Sequence, residues 1–297
     1  MSDHKREIDE LRRQMAEVDA QLLVGLEKRA KASKAIGALL GDQPPQLSLQ
    51  DRPQIDALVA RSSGDMPAES LRTIFRTVYA ACLGLQAPVT VAYLGPEGGP
   101  GLSVATGHFG SSATFRACDS ASLALEEVTR HLASFAVLPY ETFAEGPVHS
   151  TILAIAASEL RVAQVIESTP GLASESAGTQ LGLELAYKNV LDRKHERLRY
   201  AIVSSRPSSR TGDDSTAMVF TLSDTAGVLL NALKKFAERG IDLRRIQSRP
   251  VEAEGWAYLF FLEVAGHATD RLLVSALEEV KRLTKFFRVL GSYPAHG

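Results

Sequence analysis

Cysteine is scarce in this chain: Cys82 and Cys118 are the two thiols among 297 residues, and they form neither a CxxC pair nor a metal-ligand spacing. That excludes a disulfide framework and a zinc site and leaves two buried thiols as the expectation. Long hydrophobic runs are missing too. No stretch is long enough to span a bilayer, and the polar start, Met1-Ser-Asp-His-Lys-Arg-Glu, has no apolar signal core. A cytoplasmic protein that does not engage a membrane is expected. Excess charge of one sign is also absent, the formal net charge being -2 with seven histidines. No global field therefore favours nucleic acid or an anionic surface, and small-molecule work fits better.

What is present is the balance of a soluble globular chain, 45% hydrophobic and 23% charged, long enough for three domains. From Ile8 apolar residues recur at Leu11, Met15, Val18, Leu22 and Leu26, steps of three and four that predict one face of a long helix reaching Leu40. Gly41-Asp-Gln-Pro-Pro ends it. Helical patterning resumes at Ile55, Leu58 and Val59 and again from Leu71 to Leu85. Two shorter helices cover a first helix of that length poorly, so an intertwined or antiparallel homodimer, or a higher homo-oligomer, is expected.

After Ala87-Pro-Val-Thr the texture becomes α/β. A short strand, Val91 to Leu94, runs into the turn Gly95-Pro-Glu-Gly-Gly-Pro-Gly, and helices are expected at Ser103 to Phe109 and Ser122 to Ala133. A buried strand follows at Phe135 to Pro139, then a helix at Val148 to Ser158, another at Ser176 to Asn189, and a strand at Tyr200 to Ser204. Arg206-Pro-Ser-Ser-Arg-Thr-Gly-Asp-Asp reads as an exposed linker. Beyond it the expected order is strand (Ala217 to Leu222), helix (Gly227 to Arg239), strands (Ile246 to Pro250, Trp256 to Val264), helix (Arg271 to Thr284) and strand (Phe287 to Leu290). That is βαββαβ, a ferredoxin-like arrangement.

Three motifs in the last segment, Thr225-Ala-Gly-Val-Leu-Leu, Ile246-Gln-Ser-Arg-Pro and Leu290-Gly-Ser-Tyr-Pro, resemble the phenylalanine-sensing ACT domain that ends the bifunctional chorismate mutase/prephenate dehydratases. The resemblance implies ligand contacts from Gly227, Val228, Leu229, Leu230, Gln247, Ser248, Arg249 and Pro250. It implies phenylalanine as the ligand, bound across a dimer interface, with Gln247 standing where the family usually has Glu. Independently of it, Gly227 at a helix N-terminus offers free N–H groups that suit a carboxylate.

Residues 1–86 are similar to the all-helical chorismate mutases. There Arg12, Arg29 and Arg52 match the arginines that hold the substrate carboxylates, and Gln86 matches a glutamine near the ether oxygen. Such catalysis holds a compact conformer and stabilises developing negative charge, for which bidentate arginines are suited. Leu40, Pro53 and Cys82 stand where the family has lysine, an acid and serine. Removing one oxyanion donor typically costs about 2.7 to 4 kcal/mol.

Residues 91–205 resemble prephenate dehydratase through Tyr93-Leu-Gly-Pro-Glu-Gly, Leu138-Pro-Tyr-Glu-Thr-Phe-Ala-Glu-Gly-Pro-Val and Leu198-Arg-Tyr. Glu141, Glu145 and Arg199 remain as polar candidates. Leu198 replaces the threonine that the family resemblance makes the proton donor. Thr142 and Phe143 replace asparagine and serine, and Thr-Phe is missing after Gly98. The segment is also short enough that a second cleft wall is expected to be absent, and such walls bury the substrate. Ala173-Ser-Glu-Ser-Ala-Gly-Thr resembles the family's returning helix.

The expected fold is therefore multidomain α and α/β: an all-helical chorismate-mutase-like domain (1–86), a shortened prephenate-dehydratase-like lobe (91–205) and a ferredoxin-like ACT domain (214–297). No cofactor is implied. Three functions follow. One is an enzyme of phenylalanine biosynthesis acting on chorismate or prephenate under phenylalanine control. A second is a non-catalytic phenylalanine-binding regulator or assembly partner. A third is a changed, less polar substrate, since Leu40, Cys82, Leu198 and Phe143 remove polarity.

Overall fold

The computed structural model of the chain describes residues 3–41, 51–110, 112–143, 146–168, 198–223, 225–253 and 255–295. The expected helix at Ser176 to Asn189, the motif at Ala173 and Glu145 lie outside the described residues.

Three helices begin the chain: α1 (Asp3–Leu40), α2 (Asp51–Val59) and α3 (Ala68–Gln86). The C-terminal part of α1 packs on α3, where Ser33 is buried. Gly37 lies so close to the backbone of Gln86 that any side chain there would collide with it. Further toward its start α1 stands clear of the other described residues, and Ile8, Leu11, Met15, Val18, Leu22 and Leu26 remain 45 to 67% exposed.

The second unit is built on the sheet order β2-β1-β3-β6-β5. Its members are β1 (Thr90–Leu94), β2 (Thr114–Cys118), β3 (Phe135–Thr142), β5 (Arg161–Glu167) and β6 (Leu198–Ser204), with β4 (Gly146–Pro147) pairing outside this path on β3. β1, β2 and β3 run parallel, while β6 is antiparallel to both β3 and β5. The helices are α4 (Pro100–Phe109), α5 (Ala121–Thr129) and α6 (His149–Ala157). Every residue of β3 is buried, as a strand covered on both faces requires. One face carries Phe135, Val137, Tyr200 and Ile202 against Phe109 of α4. The other carries Ala136, Leu138 and Tyr140 against α5, α6 and the third unit.

That third unit is the expected βαββαβ: β7 (Asp214–Thr221), α7 (Val228–Ala237), β8 (Leu243–Ala253), β9 (Gly255–Ala265), α8 (Arg271–Leu283) and β10 (Phe286–Pro294). The antiparallel order is β10-β7-β9-β8, so β8 is an edge strand. Met218, Phe220, Leu262 and Val264 meet both helices on one face. Ala217, Val219, Leu259 and Phe261 meet the α/β lobe on the other. β10 lies on β5 so closely that a side chain at Gly291 would strike the backbone of Val162.

The linker is less free than its composition implies. Arg210 pairs with Asp270 at 2.5 Å, Ser208 bonds the Ser292 carbonyl, and Thr211 donates to Asp214 at 2.6 Å. Both thiols are unpaired, Cys82 buried and Cys118 half-buried. β2 has no counterpart in the expected pattern because its side chains are mostly uncovered, leaving little hydrophobic alternation to read.

Candidate functional site

The described candidates of the middle motifs, Glu141 and Arg199, do not stand open to solvent. Glu141 and Arg199 are directly opposed on β3 and β6, and Arg199 Nη1 donates to Glu141 Oε2 at 2.9 Å. In the neighbouring sheet Arg245 and Glu263 are opposed on β8 and β9. The two pairs meet across the interface: Arg245 forms an ion pair with Glu141, and Arg199 Nη1 stands 3.9 Å from Glu263 Oε2. The result is a square of alternating charge, two carboxylates and two guanidinium groups, in which each sign faces the other both within and between sheets. Glu263, Glu141 and Arg199 are well covered, at 5, 11 and 20% exposed, while Arg245 at 34% reaches the edge. Burial of charge at that depth demands such pairing.

Apolar and phenolic groups seal the square. Tyr140 and Tyr293 place their hydroxyls 3.4 Å apart, and Phe261 meets Tyr140 edge to face. Burial pushes both phenols up, so they stay neutral. Leu198, where a hydroxyl was looked for, is packed in the core with Tyr93, Val137 and Tyr200. Thr142 is buried, and Phe143 is almost wholly exposed. Arg245 and Glu263 lie outside the quoted motifs, and Tyr140 and Tyr293 lie within them without having been read as site residues. The signal for Glu263 was present, a lone carboxylate inside the otherwise apolar run Leu259-Phe-Phe-Leu-Glu-Val.

The helical candidates are spread out. Arg29 lies 4.0 Å over the ring of Tyr79 and donates to the Val78 carbonyl at 3.4 Å, while Gln86 closes α3 beside Gly37. Arg12 pairs with Asp9 at 3.7 Å on the uncovered part of α1. At 1.5 Å per residue it is roughly 25 Å along the helix from Arg29, too far to share a ligand within one chain. The side chain of Arg52 lies outside the described set.

In the third unit Gly227 caps α7 with φ +80° and nothing near its missing side chain. The left-handed conformation, not crowding, calls for glycine. Val228 and Leu229 pack toward the helix-side core, whereas Leu230 is 68% exposed. The amides of the first helical turn have no acceptor within the helix; that of Val228 bonds the Thr225 carbonyl. Along β8 exposure alternates strictly. Ile246, Ser248 and Pro250 are exposed, while Arg245, Gln247 and Arg249 are half-buried. Cross-strand partners share a face, so the first set lies with Leu262, Phe260 and Tyr258 and the second with Glu263, Phe261 and Leu259. A proline in β8 is tolerated because the strand is at the edge. Among the described residues no group of three metal-ligating side chains occurs, and no helix is long and apolar enough to cross a membrane.

Residues 91–169 match the prephenate dehydratase family and residues 216–282 the ACT domain family. A bifunctional chorismate mutase/prephenate dehydratase of Aquifex aeolicus is 28% identical over 354 positions, covering 97% of this chain and 98% of that protein. The alignment is longer than the 297 residues available, so the relative carries segments that this chain lacks. A prephenate dehydratase of Mycolicibacterium smegmatis is 37% identical over 126 residues, 42% of this chain and 41% of that one. Among solved structures, prephenate dehydratase from Arthrobacter aurescens in complex with L-Phe is 27% identical with a TM-score of 0.53, covering 69% of this chain and 90% of that chain. The prephenate dehydratase of Streptococcus mutans, 24% identical with a TM-score of 0.55, shares the fold over 70% of this chain and all of its own. The chain thus carries a prephenate dehydratase segment followed by an ACT domain, and over 97% of its length it is similar to the bifunctional chorismate mutase/prephenate dehydratases.

Proposed function

We propose that this protein serves phenylalanine biosynthesis as an amino-acid-responsive regulator or assembly partner rather than as a dehydratase. Residues 91–205 form a retained lobe and residues 214–297 the ACT domain that binds phenylalanine. The observation that carries the proposal is the charge square. Glu141 and Arg199, the polar remnants of the dehydratase motifs among the described residues, are committed to each other and to Arg245 and Glu263. Leu198 has no proton to give and lies in the core. On the ACT side, Gly227 caps a helix whose Leu229 and Leu230 amides can receive a carboxylate. Leu230, Ile246 and Tyr258 offer exposed apolar surface for an aromatic side chain. The relative from Arthrobacter aurescens, solved with L-Phe, supports that ligand.

Calorimetric titration of the full chain with L-phenylalanine tests the sensor. Saturable heat, abolished by placing a bulky residue at Ser248, is expected; an athermal titration with no protection of the protein against heating would dispose of it.

A second reading is favoured by the bare apolar stripe of α1. We infer a homodimer through this stripe, with residues 1–86 as a mutase-like unit. Since Arg12 stands too far from Arg29 and Gln86 in one chain, a chorismate site would need Arg12 from the second copy. Turnover of chorismate, lost on Arg29→Ala, would establish this activity beside the sensor; its absence leaves the helices as a dimerising element.

A further inference from the structure

β8 presents opposite sets of side chains to two different surroundings. Its even-numbered residues Ile246, Ser248 and Pro250 are exposed on the side shared with the helices of the ACT unit, while its odd-numbered residues turn toward the α/β lobe. Two of the odd residues meet different points of the lobe. Arg245 pairs with Glu141. The Gln247 amide lies against Gly146, where any side chain would collide with it. Beyond these two contacts, Arg249 points its charge the same way: burial first, and then repulsion from Arg249, disfavour the protonated form of His149 at the start of α6. The two contacts follow chain order on both sides, 245 and 247 against 141 and 146.

The mechanics of such a strand are restrictive. Side chains alternate with a period of two, so any rotation or slide that adjusts one face displaces the other. Among the described residues β8 is an edge strand paired with β9, so within this sheet a shift of β8 strains one ladder. The register irregularity between Leu243 and Arg245 sits where the strand would pivot, and bulges re-aim the side chains beside them.

We propose that β8 is the coupling element between the amino-acid site and the lobe. Its even residues meet the ligand, while Arg245 and Gln247 hold the lobe at Glu141 and Gly146. The proposal rests on the sensor reading given above. It adds a partition of the segment Gln247-Ser-Arg-Pro: Ser248 and Pro250 serve the ligand, while Gln247 and Arg249 face the lobe.

The test uses the full chain, with L-phenylalanine as the probe, and two readouts: its dissociation constant by calorimetry and hydrogen exchange of peptides spanning 141–151. Ligand is expected to change exchange in 141–151 of the wild type and to leave it unchanged in Arg245→Met. That substitution and Glu141→Gln should each shift the dissociation constant by about fivefold, a modest allosteric coupling. The double variant should shift it no further than the larger single one, because both remove the same contact. Glu141→Gln preserves size and carries the test should Arg245→Met fail to fold. Tight wild-type binding with unmoved exchange in 141–151 and unshifted constants in the variants overturns the coupling while leaving the sensor intact. No wild-type binding of L-phenylalanine overturns both.

Discussion

Arg199 and Glu141 show how a residue can keep its place in a motif while its surroundings give it a different job. Each is satisfied by a charge directly opposite and by another from the adjoining sheet. Removing one member leaves its partners charged and covered, which is far more damaging than replacing the whole set. Arg199→Leu should lower stability by about 3 to 5 kcal/mol, read as an earlier urea midpoint, and Arg199→Lys should recover part of it. Gly227→Ala is milder, because nothing crowds the site and the substitution strains only the left-handed backbone. About 1 kcal/mol is expected, visible as a lower melting temperature. His108 brings a pH dependence. Burial lowers its pKa to about 4, with Arg76 adding repulsion, whereas the unfolded group titrates near 6.5. Between those values the unfolded chain binds the proton and the folded one does not. Stability therefore rises with pH across this window and is lost on acidification. Urea midpoints at pH 4.5 and 7 should differ less in His108→Gln than in the wild type.

Among the elements, α1 is the clearest case of incomplete burial. A six-residue apolar stripe more than two-fifths exposed at every position is stabilised by covering it, and a second α1 offers the same periodicity. Leu22→Glu should shift the protein from dimer to monomer in sedimentation velocity while the α/β lobe and ACT unit stay folded. How much of the architecture could be read beforehand depended on how local its cause is. α1 was legible because one periodicity runs its whole length and Gly41 with the paired prolines ends it. The βαββαβ order was legible from alternating runs of buried residues and the turn at Gly227. β2 was not, because an edge strand with little coverage carries no alternation. The charge square was half legible: motifs gave Glu141 and Arg199, but Arg245 reaches Glu141 only after two sheets have docked. The solitary Glu263 in an apolar strand announces a buried partner without saying which.

At the scale of the molecule, the α/β lobe and the ACT unit share one apolar cluster, with Tyr140, Phe261 and Tyr293 beside the four charges. Rigid contact of this kind suits transmission of a ligand's effect better than an open substrate cleft does, since a packed interface moves as a unit. The central claim is that the polar groups retained from the dehydratase motifs hold the two units together instead of handling prephenate. Phenylpyruvate formation from prephenate by the purified full chain, set beside Glu141→Gln, tests it most directly. The account predicts no turnover above the variant's background, from a protein that still gives heat with phenylalanine. Steady phenylpyruvate production that disappears in Glu141→Gln would contradict it.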